Sequence, residues 1–148
     1  LPDLSKENPD RYANMRIQDL CQEMHHFFKQ QDAATISADV YGTIPEQSTT
    51  PSAAFKAMVS GDVDRVALED VDGRVASVMV VPYPPGIPII MPGERFDNQR
   101  TPRLIEFLNM LADFDSTFPG FEHEVHGVTS TRDASTGHVQ YSVDCVRD

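Results

Sequence analysis

The segment Val80-Val81-Pro82-Tyr83-Pro84-Pro85-Gly86-Ile87-Pro88-Ile89-Ile90-Met91-Pro92-Gly93-Glu94 constrains the fold more than any other part of the chain. Five prolines and two glycines interrupt its short apolar runs. Each proline fixes its own φ, removes a backbone donor and pushes the preceding residue towards extended geometry. A regular helix is excluded, and so is an uninterrupted central strand. The expected structure is a rigid, extended, kinked crossing, with residues 78–81 and 87–91 as buried strand-like runs and Tyr83, Pro84, Pro85 and Gly86 as the corner between them. Such a corner holds its shape at little entropic cost, because its prolines already restrict the unfolded chain.

Around that corner the apolar spacing changes along the chain. Asn8 as cap, with Pro9 at the first helical position, starts a short helix over residues 10–13. Asn14 is expected to cap a longer helix reaching about Gln31, with Ile17, Leu20, Cys21, Met24, Phe27 and Phe28 in one apolar stripe. Residues 32–40 read as another short helix, stopped by Gly42 and Pro45, and Thr50-Pro51 opens a third through Val59, ended by Gly61. From Val63 the period shortens to that of a strand leading into an Asp72-Gly73 turn, and residues 74–81 follow as a second strand, apolar on both faces in its second half. Thr101-Pro102 begins the last helix, whose core face is Leu104, Ile105, Phe107, Leu108, Leu111 and Phe114 and which ends before Pro119-Gly120. Residues 122–131 and 138–147 alternate as two strands around a turn at 133–137. The sum is a single α+β domain, with helices packed on one face of a small, largely antiparallel sheet.

Composition narrows the function. With 148 residues, 40% hydrophobic and 24% charged, the chain has room for one core, and no apolar run is long enough to span a membrane. It begins Leu1-Pro2-Asp3, with no signal-peptide pattern. A formal charge of −11, from 23 acidic and 12 basic residues, argues against a nucleic-acid partner. That charge either focuses a cationic substrate or serves solubility alone. Two cysteines, Cys21 and Cys145, do not make a disulfide framework and suggest reduced thiols in a cytoplasm, with Cys21 buried and inert on its helical stripe.

Candidate chemistry is sparse. His123 and His126 lie three apart on an expected strand, so their rings diverge and no metal site is expected. Of His25 and His26, one is expected at the core edge and one in solvent, and His138 reads as a surface residue. No Gly-x-Ser-x-Gly element marks a nucleophile. The polar constellation that stands out is Tyr83, Glu94 and Arg95: Pro92-Gly93 suits a turn that presents the Glu94 carboxylate, unless Glu94 only ends a strand and pairs with Arg95 or Arg74.

Val-Pro-Tyr-Pro-Pro-Gly-Ile-Pro followed by Met-Pro-Gly-Glu resembles a signature near the end of the bacterial ornithine/lysine/arginine decarboxylases, large pyridoxal-phosphate enzymes with a distinctive C-terminal domain. Five further islands resemble that family in the same order: Asn14-Met15-Arg16-Ile17-Gln18-Asp19-Leu20, Thr50-Pro51-Ser52-Ala53-Ala54-Phe55, Asp72-Gly73-Arg74-Val75, Ile105-Glu106-Phe107-Leu108, and Phe118-Pro119-Gly120-Phe121-Glu122 through His126-Gly127. They look nearest to the lysine and arginine branches.

The resemblance implies that residues 1–7 are a linker from a preceding domain and residues 8–148 the family's C-terminal domain. It implies a parent decarboxylase that is a homodimer or larger homo-oligomer, in which this domain packs against the upstream catalytic domains and helps to form the active-site entrance. Pyridoxal phosphate would then be held elsewhere, because the family's cofactor lysine follows a Ser-x-His element that is absent here, and Lys6, Lys29 and Lys56 fall at polar positions. No catalytic or cofactor-binding residue is expected in this chain. Tyr83, Pro84, Pro85, Gly86 and Glu94 are the candidates for a wall of the substrate channel, with Pro119, Gly120 and Phe121 as a second family marker. Two other readings stay open: an oligomerisation or partner-binding module, suggested by Phe114, Phe118 and Phe121 and a free strand edge, and a small-ligand sensor.

Overall fold

The computed structural model describes residues 2–148. Helices α1 (Pro2–Glu7), α2 (Pro9–Tyr12), α3 (Ile17–Gln30) and α4 (Ala33–Asp39) form its N-terminal layer. Leu1 lies outside the described residues; the rest of the expected linker is α1, whose Leu4 packs against an aromatic cluster. Asn14 does not cap α3. It takes a left-handed conformation (φ 61°), and Arg16 is the cap, its N–H donating to the Asp19 carboxylate at 3.3 Å. The apolar stripe of α3 is also narrower than the spacing predicts. Leu20, Met24, Phe27 and Phe28 face the interior, while Ile17 is 67% exposed and Cys21, His25 and His26 all lie at the surface.

After the two-residue strand β1 (Glu46–Gln47), helix α5 (Pro51–Ser60) begins and ends where predicted. The Thr50 hydroxyl accepts the Ala53 N–H at 3.2 Å, and Gly61 closes the helix at φ 77°. Strand β2 (Val63–Ala67) follows, then a 3₁₀ turn (Leu68–Asp70), β3 (Val81–Tyr83) and β4 (Glu94–Arg95). Helix α6 (Pro102–Thr117) precedes β5 (Glu124–His126), β6 (Val128–Arg132) and β7 (Val139–Val146).

Pairing is antiparallel throughout, as expected, but the strands form three small sheets, β1-β4, β2-β7-β6 and β3-β5. Strand β7 buries Val139, Tyr141, Val143 and Cys145 at alternate positions against α6, which buries its whole predicted face.

The strand predicted over residues 74–81 does not form, because its backbone bonds go to three neighbours in turn. Ala76 exchanges bonds with Gly93 and Glu94, the Ser77 N–H and hydroxyl both donate to the Asp144 carbonyl, and Val80 exchanges bonds with Ile89 and Ile90. Met79 is left 43% exposed in the middle of the run expected to be buried. In the second run only Ile89 and Ile90 are buried; Ile87 and Met91 are exposed, since Pro88 and Pro92 have no N–H with which to extend the ladder. Among the described residues no helix is long and apolar enough to cross a membrane.

Candidate functional site

The corner is anchored by a strand pair. Pro82 lies opposite Val125 and Tyr83 opposite Glu124, and the Gly86 N–H donates to the Pro82 carbonyl at 2.9 Å. Gly86 sits at φ 76°, and the Tyr83–Pro84 and Pro84–Pro85 peptides are cis. Pro82 is buried, whereas Tyr83 is 60% exposed and Pro84, Pro85 and Gly86 are all at the surface. Pro82, Tyr83 and Pro84 border a groove of about 330 Å³. Phe28 of α3, Ala33 of α4 and Phe107 and Leu111 of α6 supply much of the rest of its apolar lining, and His123 also borders it.

His123 is held from behind by a buried carboxylate. Asp115, on α6, is 0% exposed; its Oδ1 accepts the His123 backbone N–H at 2.9 Å and lies 2.7 Å from the ring Nδ1, while its Oδ2 accepts the Tyr141 hydroxyl at 2.5 Å. Burial, then the bond to Asp115, pushes the Tyr141 hydroxyl far above its ordinary pKa, so it stays protonated and donates. A carboxylate can only accept, which assigns the His123 proton to Nδ1 and leaves Nε2 without a partner among the described residues. The ring packs edge-on against Phe114, with centroids 4.9 Å apart.

Sequence reasoning missed Asp115. Its signal was positional: it falls four residues after Leu111 and seven after Leu108, on the core face of α6, where a carboxylate needs donors to be tolerated. The two histidines do part as expected, His126 pairing with Glu124 at 3.3 Å while His123 binds Asp115.

Glu94 belongs elsewhere. Its carboxylate accepts the Met91 N–H at 2.7 Å, closing its own turn, and it borders a separate concavity with Tyr41, Ile44 and Ile87. No ion pair forms with Arg95 or Arg74: Arg95 donates to Ser48 and to the Gly73 carbonyl, and Arg74 pairs with Asp64 at 3.1 Å. Tyr83, Glu94 and Arg95 therefore do not converge. Pro119, in the second marker, accepts the Tyr12 hydroxyl at 2.8 Å, and Phe114 and Phe118 are buried beside it with Phe121 packed against them. Phe114 and Phe118 are internal, whereas Phe121 is half-buried.

Comparison with known proteins agrees with this architecture. Residues 34–147 match the family described as Orn/Lys/Arg decarboxylase, C-terminal domain. The chain is 42% identical to the constitutive lysine decarboxylase of Escherichia coli over 134 residues, covering 90% of this chain and 18% of that protein. It is 39% identical to the biodegradative arginine decarboxylase of Escherichia coli over 127 residues, covering 86% and 17%. The solved structure of the Escherichia coli constitutive lysine decarboxylase superposes with a TM-score of 0.85 at 38% identity, over 99% of this chain and 20% of that one. The chain thus spans about a fifth of the length of its relatives. By its sequence match and its fold together, it belongs to the Orn/Lys/Arg decarboxylase family and corresponds to the family's C-terminal domain.

Proposed function

We propose that this domain serves a cytoplasmic, pyridoxal-phosphate-dependent decarboxylase acting on lysine or arginine rather than ornithine, and that it forms one wall of the substrate entrance. The carrying observation is an exposed Tyr83 on a strand-anchored proline corner beside an apolar groove. The domain packs against the upstream domains of its own chain within a homodimer or larger homo-oligomer. Exposed Ile44, Phe55, Val59 and Ile87 favour such contacts, and assembly is the second reading of the domain.

Cofactor binding does not fit these residues. Lys6, Lys29 and Lys56 are all exposed, Lys6 pairing with Asp3, and none borders the groove, so no lysine here is placed to hold the cofactor as a Schiff base. That chemistry is assigned to the upstream domains.

In the complete enzyme, Tyr83→Ala is expected to raise KM about 3–10-fold while stability stays within about 0.5 kcal/mol, as for an exposed side chain. Glu94→Ala is expected to do the opposite, costing about 1 kcal/mol through the lost turn bond with little change in KM. Steady-state kinetics beside thermal unfolding separate the two. An unchanged KM in Tyr83→Ala would reduce the corner to a structural feature.

A further inference from the structure

His123 borders a groove that is otherwise largely apolar, and its Nε2 has no partner among the described residues. With its Nδ1 proton donated to Asp115, the ring in its neutral form carries a lone pair at Nε2, and what that form offers a ligand is an acceptor. The Asp115 carboxylate 2.7 Å from Nδ1 sets a negative charge behind the ring, which favours a cation and disfavours a carboxylate in front. Neither lysine nor arginine borders the groove to repel a cation. Phe28, Phe107 and Leu111 suit an alkyl chain, and the Tyr83 ring supplies an aromatic face.

Resting on the reading of the groove as part of a substrate entrance, we propose that His123 is a specificity residue whose Nε2 accepts a hydrogen bond from the terminal ammonium of an alkylamine, either the amino-acid substrate or its diamine product. A single acceptor matches a compact ammonium, whereas a guanidinium presents a planar fork that seeks two. The groove therefore favours lysine-type over arginine-type side chains. Asp115 acts through His123 and is a positioning residue.

The experiment uses the complete decarboxylase with lysine as substrate and 1,5-diaminopentane as inhibitor, with pentane-1,5-diol as the neutral isostere. His123→Asn places an amide N–H where Nδ1 stood, keeping a donor for Asp115 while deleting Nε2. It is expected to raise both KM for lysine and the inhibition constant of the diamine about tenfold, the weight of one hydrogen bond to a charged group. The change in kcat should be smaller, and the diol should be a poor inhibitor of either enzyme. His123→Phe, which keeps a planar ring against Phe114, should repeat the loss, and Asp115→Asn should show part of it through the lost charge. A structural role alone would lower the unfolding midpoint without separating diamine from diol. Diamine inhibition unchanged in both His123 variants, while Tyr83→Ala still raises KM, overturns the assignment and leaves the entrance reading intact. No activity on lysine or arginine in the wild-type enzyme overturns both.

Discussion

Residues at the same kind of sequence position meet different fates according to what surrounds them. Asp115 and Cys21 both sit where the helical pattern calls for apolar side chains. Asp115 is fully buried, because Tyr141 and His123 donate to it and offset the cost of removing a carboxylate from water. Cys21 was expected inside and lies outside, because the interior on that side of α3 is already filled by Leu20, Met24, Phe27 and Phe28. The two thiols should therefore differ in reactivity. Burial, the larger effect, pushes the Cys145 thiol up to about 11, whereas Cys21 stands in solvent. A thiol-alkylating reagent at roughly pH 8 is expected to modify Cys21 in the native chain and Cys145 only on unfolding, as read by peptide mass spectrometry. Labelling of Cys145 before Cys21 would contradict this arrangement. The sequence suggested the reverse for Cys21 because period alone marks a stripe and not its width.

At the scale of elements, legibility followed how local each signal was. Helix α5 was readable end to end because Thr50, Pro51 and Gly61 act on their own neighbours, and α6 because its apolar face is broad and begins at Pro102. The run 74–81 was not readable, since its partners lie at Glu94, Asp144 and Ile90, and no local pattern announces three partners for one segment. The candidate site divides in the same way. The density of prolines marked Tyr83, but the rest of the groove comes from α3, α4 and α6, and its carboxylate–imidazole pair depends on a contact between α6 and the start of β5. Gly127 shows what holds the corner to the main sheet. It separates β5, paired to β3, from β6, paired to β7, and at φ 83° its backbone runs so close to the Met79 carbonyl that a Cβ would collide with it. Gly127→Ala combines a left-handed conformation with a backbone clash, and a loss of about 2–4 kcal/mol is expected. In urea the midpoint should fall with the slope unchanged; a loss below about 0.5 kcal/mol would mean that the β5–β6 junction relaxes freely.

At the scale of the whole molecule, the start of the region that matches the family model and the boundary of the core do not coincide. The family match begins at residue 34, after α3. Yet Phe114 and Phe118 of α6 and its cap are covered largely by residues that precede that point. Phe28 stacks on Phe114 at 5.0 Å, Phe27 meets Phe114 and Phe118 edge-on at 5.5 and 5.8 Å, and Tyr12 and Leu20 are buried in the same cluster. Phe28 also lines the groove beside Tyr83, so the N-terminal helices complete the candidate site as well as the core. Each large apolar side chain contributes about 1.5–3 kcal/mol when fully buried, so losing the buried Tyr12 and Leu20 together with the half-buried Phe27 and Phe28 removes a large part of the stability of a typical domain, about 5–15 kcal/mol. A chain reduced to residues 34–148 is therefore expected to bind an apolar fluorescent dye, to unfold at a much lower midpoint and to self-associate through the uncovered rings of α6. Restoring residues 2–33 should reverse all three. If the shortened chain instead unfolded cooperatively at the midpoint of the longer one and left the dye dark, the N-terminal helices would be an attachment to the fold, and the groove would have to keep its shape without Phe28.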